Sequence, residues 1–167
     1  MSWATACAMR RTPMAEPLLS VEGLSVSFAE HRRRLVALHE VGFEVPEGQT
    51  VALVGESGCG KSLTARALLR ILPETGRIDS GALRFAGTDI AALPERDPRL
   101  ARIRGGEIGM IYQEPMTALS PYYSIGNQIE ETIRQHERLP RRAARARAVD
   151  MLEAVGMPNP AERIDAY

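Results

Sequence analysis

Residues 55–62 read Gly-Glu-Ser-Gly-Cys-Gly-Lys-Ser, and this octapeptide constrains the fold more than any other feature of the chain. It fits the pattern G-x-x-x-x-G-K-[S/T], whose glycines let the backbone curl so that successive N–H groups point at phosphate oxygens. An apolar run, Thr50–Val54, precedes the loop, and helical spacing follows it from Ser62. Strand, loop and helix in this order predict a site for the phosphates of a nucleoside triphosphate. The alternative is an ordinary glycine-rich strand-to-helix turn.

The side chains at the end of the loop have distinct predicted roles. Lys61 reaches the outer phosphates, and the Ser62 hydroxyl ligates Mg²⁺. Lys61 is also the only lysine among the 21 basic side chains. Cys59 is interpreted as a small filler and not as a nucleophile. The predicted nucleotide-binding residues of the loop are Gly55, Glu56, Ser57, Gly58, Cys59, Gly60, Lys61, Ser62 and Leu63.

The composition of the 167-residue chain narrows the classes of function that are compatible with this loop. Apolar residues make up 44% and charged residues 25%, as in globular domains, and the net charge is zero. A neutral chain has no electrostatic footprint for general nucleic-acid binding. Cys7 and Cys59 lack metal-like spacing and are expected to be free thiols in a reducing compartment. No apolar run approaches the ~20 residues of a membrane helix.

Period-2 alternation predicts strands at 18–28 and 35–45, and a third at 81–85. Two continuous apolar runs, Thr50–Val54 and Glu107–Tyr112, predict strands buried on both faces. Helical spacing and stop signals predict helices at 62–72, 97–104, 124–137 and 140–155, with Pro73 and Gly156 as stops. Residues 1–17 are expected to be a disordered leader, with Met1 or Met14 as the true start.

The loop alone leaves the class of phosphate-binding protein open. A GTPase would show D-x-x-G and a guanine-reading N-K-x-D, but no aspartate here precedes a glycine by three residues, and the one lysine is already used. A small-molecule kinase remains an alternative at this point, although no lid motif is evident.

A second segment is more specific. Residues 108–128 read IGMIYQEPMTALSPYYSIGNQ. Together with the opening strand pair and GESGCGKS, this run resembles the ATPase subunits of ATP-binding cassette (ABC) transporters of the oligopeptide/dipeptide/nickel importer family, from about Leu18 to Tyr167. The resemblance implies an α/β fold, the P-loop NTPase fold of an ABC nucleotide-binding domain, with an antiparallel β subdomain and the start of a helical subdomain. Residues 18–167 would be the N-terminal portion of that domain.

The resemblance also implies roles outside the phosphate loop. Gln113 matches the Q-loop glutamine, which contacts the metal and the attacking water and reports the nucleotide state to the transmembrane subunit. Lys61 and Gln113 are therefore the expected catalytic residues, and Ser62 and Gln113 the expected metal ligands. A solvated glutamine at a strand end is the alternative for Gln113. Phe28 matches the aromatic that stacks on adenine, although its alternation fits core packing equally well.

Four apolar side chains occupy the proline-bounded loop after Gln113. They either pack inward or form part of the groove in which the permease docks. They are Met116, Leu119, Tyr122 and Tyr123.

Several parts that the resemblance calls for are not found in these residues. They are the LSGGQ-like signature, the Walker B aspartate with its catalytic glutamate, the D-loop and the switch histidine. His31, His39 and His136 lie in other contexts and are expected on the surface. The chain is therefore expected to be an incomplete domain, through natural truncation or an incomplete sequence, and to be inactive as an ATPase on its own.

The favoured interpretation is the ATP-binding subunit of an importer of peptides or similar solutes, with ATP and Mg²⁺ as cofactors. Its expected partners are permease subunits, a second ATPase subunit (the same or a different chain) and, indirectly, a solute-binding protein. Its expected location is the cytoplasmic face of the bacterial plasma membrane. The alternatives are a non-transport ABC ATPase acting on nucleic acid or ribosomes, and an inactive nucleotide-binding remnant. The transported substrate is not readable, because permease and binding protein select it.

Overall fold

The computed structural model describes residues 16–31 and 33–167, which form two compact units divided between Leu100 and Ala101. The predicted leader lies outside the described residues except for positions 16 and 17.

The first unit is built on a four-stranded antiparallel sheet. Its strands are β1 (Leu19–Glu30), β2 (Arg33–Val45), β3 (Gly76–Phe85) and β4 (Thr88–Asp89). The spatial order is β2-β1-β3-β4, so β1 is paired on both edges. Val26 shows this position well, since it lies opposite Leu38 of β2 and Ile78 of β3. The antiparallel β subdomain implied by the resemblance is confirmed.

One face of the sheet supplies most of the core of this unit. Val21, Leu24 and Val26 of β1 are almost fully buried, and Leu83 of β3 joins them. The spacing departs from strict alternation because the register shifts twice between Val21 and Val26. Bulges of this kind re-aim side chains, which is why three residues of uneven spacing share one face.

Helix α1 (Lys61–Leu68) follows the phosphate loop and buries Thr64 and Ala67. It ends four residues before Leu72, the predicted last residue of this helix, because Arg70 takes a left-handed conformation with φ +51°. The Arg70 guanidinium donates to the carbonyls of Ile90 and Leu93, which fastens the end of α1 to the segment after β4.

Helices dominate the second unit. Helix α2 (Pro98–Arg102) spans the boundary and is followed by a kinked turn, Ile103–Glu107, in which Arg104 and Gly105 have non-helical backbone angles. A 3₁₀ turn lies at Pro115–Ala118. Helices α3 (Ile125–His136) and α4 (Arg141–Ala154) confirm the two C-terminal helix predictions, and α5 (Pro160–Arg163) was not predicted. The Ser124 hydroxyl caps α3 by accepting from the Asn127 amide at 3.3 Å.

The core of this second unit lies between α3, α4 and the residues that follow them. Its buried members are Ile133, Ala144, Ala148, Leu152 and Ile164. Gly126 allows the C-terminal segment to approach α3, since its amide donates to the Ile164 carbonyl at 2.7 Å. A Cβ at that position would lie 2.6 Å from Ile164 Cγ1.

The two predicted buried strands are wrong. Thr50–Val54 and residues 109–112 have no regular structure, and Val54 and Ile111 are 93% and 95% exposed. A strand exists only through hydrogen bonds to a neighbour, and no strand pairs with either segment within the described residues. The pairing that would bury these side chains is not provided by the described part of the chain.

Gly81 offers a test of the sheet. Its φ is +105°, and a Cβ there would lie 2.6 Å from Leu24 Cα. Gly81→Ala is expected to lower the free energy of unfolding by about 2–4 kcal/mol, from backbone strain and overpacking together. Urea unfolding followed by circular dichroism measures this.

The matched control is Gly87→Ala, which has φ +76° but open space around the added methyl. It should cost only about 1 kcal/mol, the strain alone. Equal losses in the two variants would contradict the close packing of β1 and β3 at Gly81.

Candidate phosphate-binding site

The phosphate loop is a turn that leads directly into α1. The Cys59 amide donates to the Glu56 carbonyl at 3.3 Å, which closes the turn. Gly58 and Gly60 have φ of +82° and +98°, values that side-chain-bearing residues rarely adopt. Residues 55–59 are exposed, so the loop is accessible from solvent.

Gly60 joins the loop to the sheet. A Cβ at this position would lie 2.5 Å from Leu38 Cδ2, so the loop backbone rests directly on a buried side chain of β2. The Gly60 carbonyl accepts from the Thr64 amide and hydroxyl at 2.8 and 3.0 Å. Helix α1 therefore begins at a fixed point. No acidic side chain lies in its first turn to offset the positive end of its dipole.

Lys61 folds back over the loop that precedes it. Its Nζ donates to the Gly55 and Glu56 carbonyls, both at 2.7 Å, and to Cys59 Sγ at 3.4 Å. These bonds hold the ammonium against the loop. The role of Lys61 as a phosphate ligand stays a prediction.

The other predicted loop residues are placed as follows. Ser62 is exposed on the first turn of α1, and Leu63 is half-buried on the same turn. The Cys59 thiol is exposed and lies against Gly55, where a Cβ would approach Sγ to 2.6 Å. The roles of Ser62 as a metal ligand and of Cys59 as a filler stay predictions.

Phe28 is half-buried on β1, between Leu35 of β2 and Gly76 of β3. Its ring covers Gly76 so closely that a Cβ there would lie 2.8 Å from Cε1. Part of the ring is thus used in packing and part is open to solvent. Stacking on adenine stays a prediction beside this packing role.

Gln113 belongs to the second unit, whereas the phosphate loop belongs to the first. It is exposed within the irregular segment that leads from Ile108 to the 3₁₀ turn. The apolar side chains after it are exposed too, with Met116 at 78% and Tyr122 at 83%. Inward packing, one of the two alternatives for these side chains, is therefore wrong.

Gln128 has a structural role that sequence reasoning missed. From α3 its amide oxygen accepts from the Ser120 amide at 2.8 Å, and its nitrogen donates to the Ser120 and Tyr123 carbonyls at 3.0 and 2.9 Å. A primary amide can accept one hydrogen bond and donate two at the same time, because it carries both donors and an acceptor. Nothing in the spacing of the sequence distinguishes this glutamine from a solvated one.

A polar cleft of about 590 Å³ runs along α3, lined among others by Tyr123, Asn127 and Arg134. Glu130 lies in its wall, almost buried, and pairs with Arg141 at 3.6 Å and Arg145 at 3.4 Å. Arg145 also bonds Asp165 at 2.6 Å, and this bond together with Glu130 raises the pKa of the guanidinium. The network joins α3, α4 and the C-terminal segment.

Of the three histidines, His31 and His39 are exposed as expected, but His136 is half-buried. No group of three or more metal-ligating His, Cys, Asp or Glu side chains occurs in the described residues. None of the helices described is long and apolar enough to cross a bilayer.

Comparison with known proteins decides the family. The pattern of the family described as ABC transporter matches residues 38–166. The chain belongs to the ABC transporter family. The small-molecule kinase alternative receives no support from this match.

Among curated relatives, the oligopeptide transport ATP-binding protein OppD of Bacillus subtilis is 40% identical over 151 residues, covering 90% of this chain and 42% of the relative. The dipeptide transport ATP-binding protein DppD of Escherichia coli is 39% identical over 150 residues, covering 90% of this chain and 45% of the relative. The chain thus spans less than half the length of these relatives.

Among solved structures, the ATP-binding cassette MJ0796 in a post-hydrolysis state bound to ADP and Pi matches with a TM-score of 0.73 at 19% identity. The match covers 88% of this chain and 60% of that chain. At this identity the match establishes the fold, and it confirms the expected fold of an ABC ATPase.

Gln128 provides a test of how the exposed tyrosine loop is held. Gln128→Ala removes three hydrogen bonds, and chymotrypsin is expected to cleave after Tyr122 or Tyr123 about five- to tenfold faster, because a net loss of about 1 kcal/mol raises the open population by that factor. Limited proteolysis with mass spectrometry measures the rate. Gln135→Ala, at an exposed position of the same helix, should leave cleavage unchanged. Unchanged cleavage in Gln128→Ala as well would mean that the loop is held by other contacts.

Proposed function

We propose that this chain is the nucleotide-binding part of an ATPase subunit that energises an ABC importer of peptides or similar solutes. The observation that carries the proposal is the phosphate loop itself, in which Lys61 is held at 2.7 Å from the Gly55 and Glu56 carbonyls, beside the start of α1. Membership of the ABC transporter family supports it. So do relatives whose names specify oligopeptide and dipeptide transport.

ATP binding follows from the chemistry of the loop. The loop N–H groups and the positive end of α1 favour the negative phosphates. The Lys61 ammonium exchanges its carbonyl partners for oxygens of the outer phosphates, a charge-assisted contact stronger than the bonds it leaves. Glycine at positions 58 and 60 lets the backbone come close without a side chain in the way.

The residues present also fit Mg²⁺. Ser62 offers a hydroxyl and Gln113 an amide oxygen, both exposed, and hard oxygen donors are the ligands that Mg²⁺ prefers. When bound, Mg²⁺ would neutralise charge on the phosphates. A neutral amide binds the ion weakly and releases it, which suits Gln113 to sensing the nucleotide more than to permanent ligation. We also assign the adenine contact to Phe28, whose ring is partly exposed.

The exposed apolar loop supports a docking role toward the membrane subunits. Met116, Leu119, Tyr122 and Tyr123 present apolar area at 49–83% exposure, and such patches mark interaction sites. We propose that a permease subunit covers them, that a second ATPase subunit completes the nucleotide site, and that a solute-binding protein delivers the substrate. The working protein would then lie at the cytoplasmic face of the bacterial plasma membrane.

Binding of a fluorescent ATP analogue tests the phosphate site. Lys61→Ala is expected to weaken binding about ten- to hundredfold, since a charge-assisted contact contributes ~1.5–3 kcal/mol. Arg66→Ala removes a cation from the exposed face of the same helix and should leave the affinity unchanged. Equal affinity of wild type and Lys61→Ala would refute the site.

An ATP hydrolysis assay tests whether the chain binds ATP without hydrolysing it. The 167 residues contain no Walker B carboxylate, so the chain alone should release phosphate from ATP only at the background rate set by Lys61→Ala. A colorimetric phosphate assay measures it. Phosphate release well above that of Lys61→Ala would show that a general base lies within these residues.

A further inference from the structure

The imidazole of His136 covers two consecutive glycines. A Cβ at Gly105 would lie 2.9 Å from His136 Nε2, and a Cβ at Gly106 would lie 3.1 Å from Nδ1. The ring therefore fills the space that side chains at both positions would need. His136 is the last residue of α3, and the contact lies wholly within the second unit.

The two glycines form the tip of a closed turn, residues 103–108, called here the glycine turn. The Gly105 amide donates to the Ile108 carbonyl at 2.9 Å, and the Ile108 amide donates to the Ile103 carbonyl at 2.8 Å. Arg102 Nε and Glu107 Oε1 form an ion pair at 2.7 Å beside it, and Ile103 is buried. Gly105 has φ +83°, so the turn depends on glycine for its conformation as well as for space.

Gln113 follows this turn by five residues. From residue 109 to Ser120 the chain has no regular structure apart from the 3₁₀ turn Pro115–Ala118, so its path depends on what holds its two ends. At one end the glycine turn lies against His136. At the other end the chain returns to α3 through Ser120 and Tyr123, which Gln128 holds by three hydrogen bonds.

Both anchors belong to α3, eight residues and about 12 Å apart along the helix. We infer that α3 holds the segment that contains Gln113 at both of its ends. His136 is the positioning residue at one end, where its imidazole packs on the glycine turn. As far as it concerns Gln113 and Mg²⁺, the inference rests on the proposed function. The seating of the turn itself does not.

The seating is tested by hydrogen exchange in the 167-residue chain, read by NMR at the Gly105 and Ile108 amides. Gly106→Ala pushes a methyl group against the imidazole and should speed exchange at both amides about tenfold. In the double variant Gly106→Ala/His136→Ala the methyl has room, so exchange should slow again relative to Gly106→Ala. His136→Phe keeps a flat ring over the turn and should stay near wild type.

Gly109→Ala is the matched control, because this glycine lies just beyond the turn and nothing approaches its Cβ within 4 Å. It should leave both amides unchanged. A double variant that exchanges as fast as Gly106→Ala would overturn the inference, since the defect would then not arise from the imidazole. Unchanged exchange in Gly106→Ala would overturn it as well.

A second readout addresses Gln113. If the turn positions it, Gly106→Ala should weaken the Mg²⁺ dependence of ATP-analogue binding about tenfold, as loss of an outer support for a ligand does. The Lys61-dependent binding without Mg²⁺ should remain, and the double variant should recover the Mg²⁺ dependence. Normal Mg²⁺ dependence in Gly106→Ala, with altered exchange, would overturn the positioning of Gln113. Failure of wild type to bind the analogue would instead refute the proposed function and leave the exchange result standing.

Discussion

The contact of Gly60 with Leu38 is the constraint on which the phosphate loop depends. Leu38 is the one buried residue of β2, and its Cδ2 would lie 2.5 Å from a Cβ on Gly60. Because the loop backbone packs on the core of the sheet, the start of α1 and the backbone of Lys61 have fixed positions. The proposed contacts to phosphate depend on these positions, so a change in the packing of β2 would also change the site.

The electrostatic potential of the loop is also set before an anion binds. The loop already gathers positive potential from the end of α1 and from an ammonium bound to two of its own carbonyls. Chain neutrality matters here as well, since with a net charge of zero the attraction for an anion is local and not a property of the whole surface. Selectivity for a nucleotide then comes from geometry more than from long-range steering.

Local patterns predicted those elements whose partners are nearby in sequence. The strands β1 and β2 pair with each other, and the helices α3 and α4 pack on each other, so these elements find their partners within the same unit. The strand predictions for Thr50–Val54 and Glu107–Tyr112 were wrong because apolar composition shows that a segment could be buried as a strand. It does not show that a neighbouring strand is there to pair with it. Motif spacing predicted the turn and the helix that follows it, and the bonds of Lys61 to this turn join residues at most six apart. The seat of Gly106 on His136 joins residues thirty apart, and no local pattern marks it.

The uniqueness of Lys61 has a practical meaning. In a protein whose other cations are guanidinium groups, the proposed phosphate ligand is the one side-chain primary amine. Isotope-labelled lysine would therefore place a single spectroscopic signal in the loop, without assignment and without mutation. Its ammonium now bonds two carbonyls and a thiol, and transfer to phosphate oxygens would change the environment of that one signal. Because the chain has a single lysine, Lys61 can serve as an intrinsic spectroscopic probe of the site.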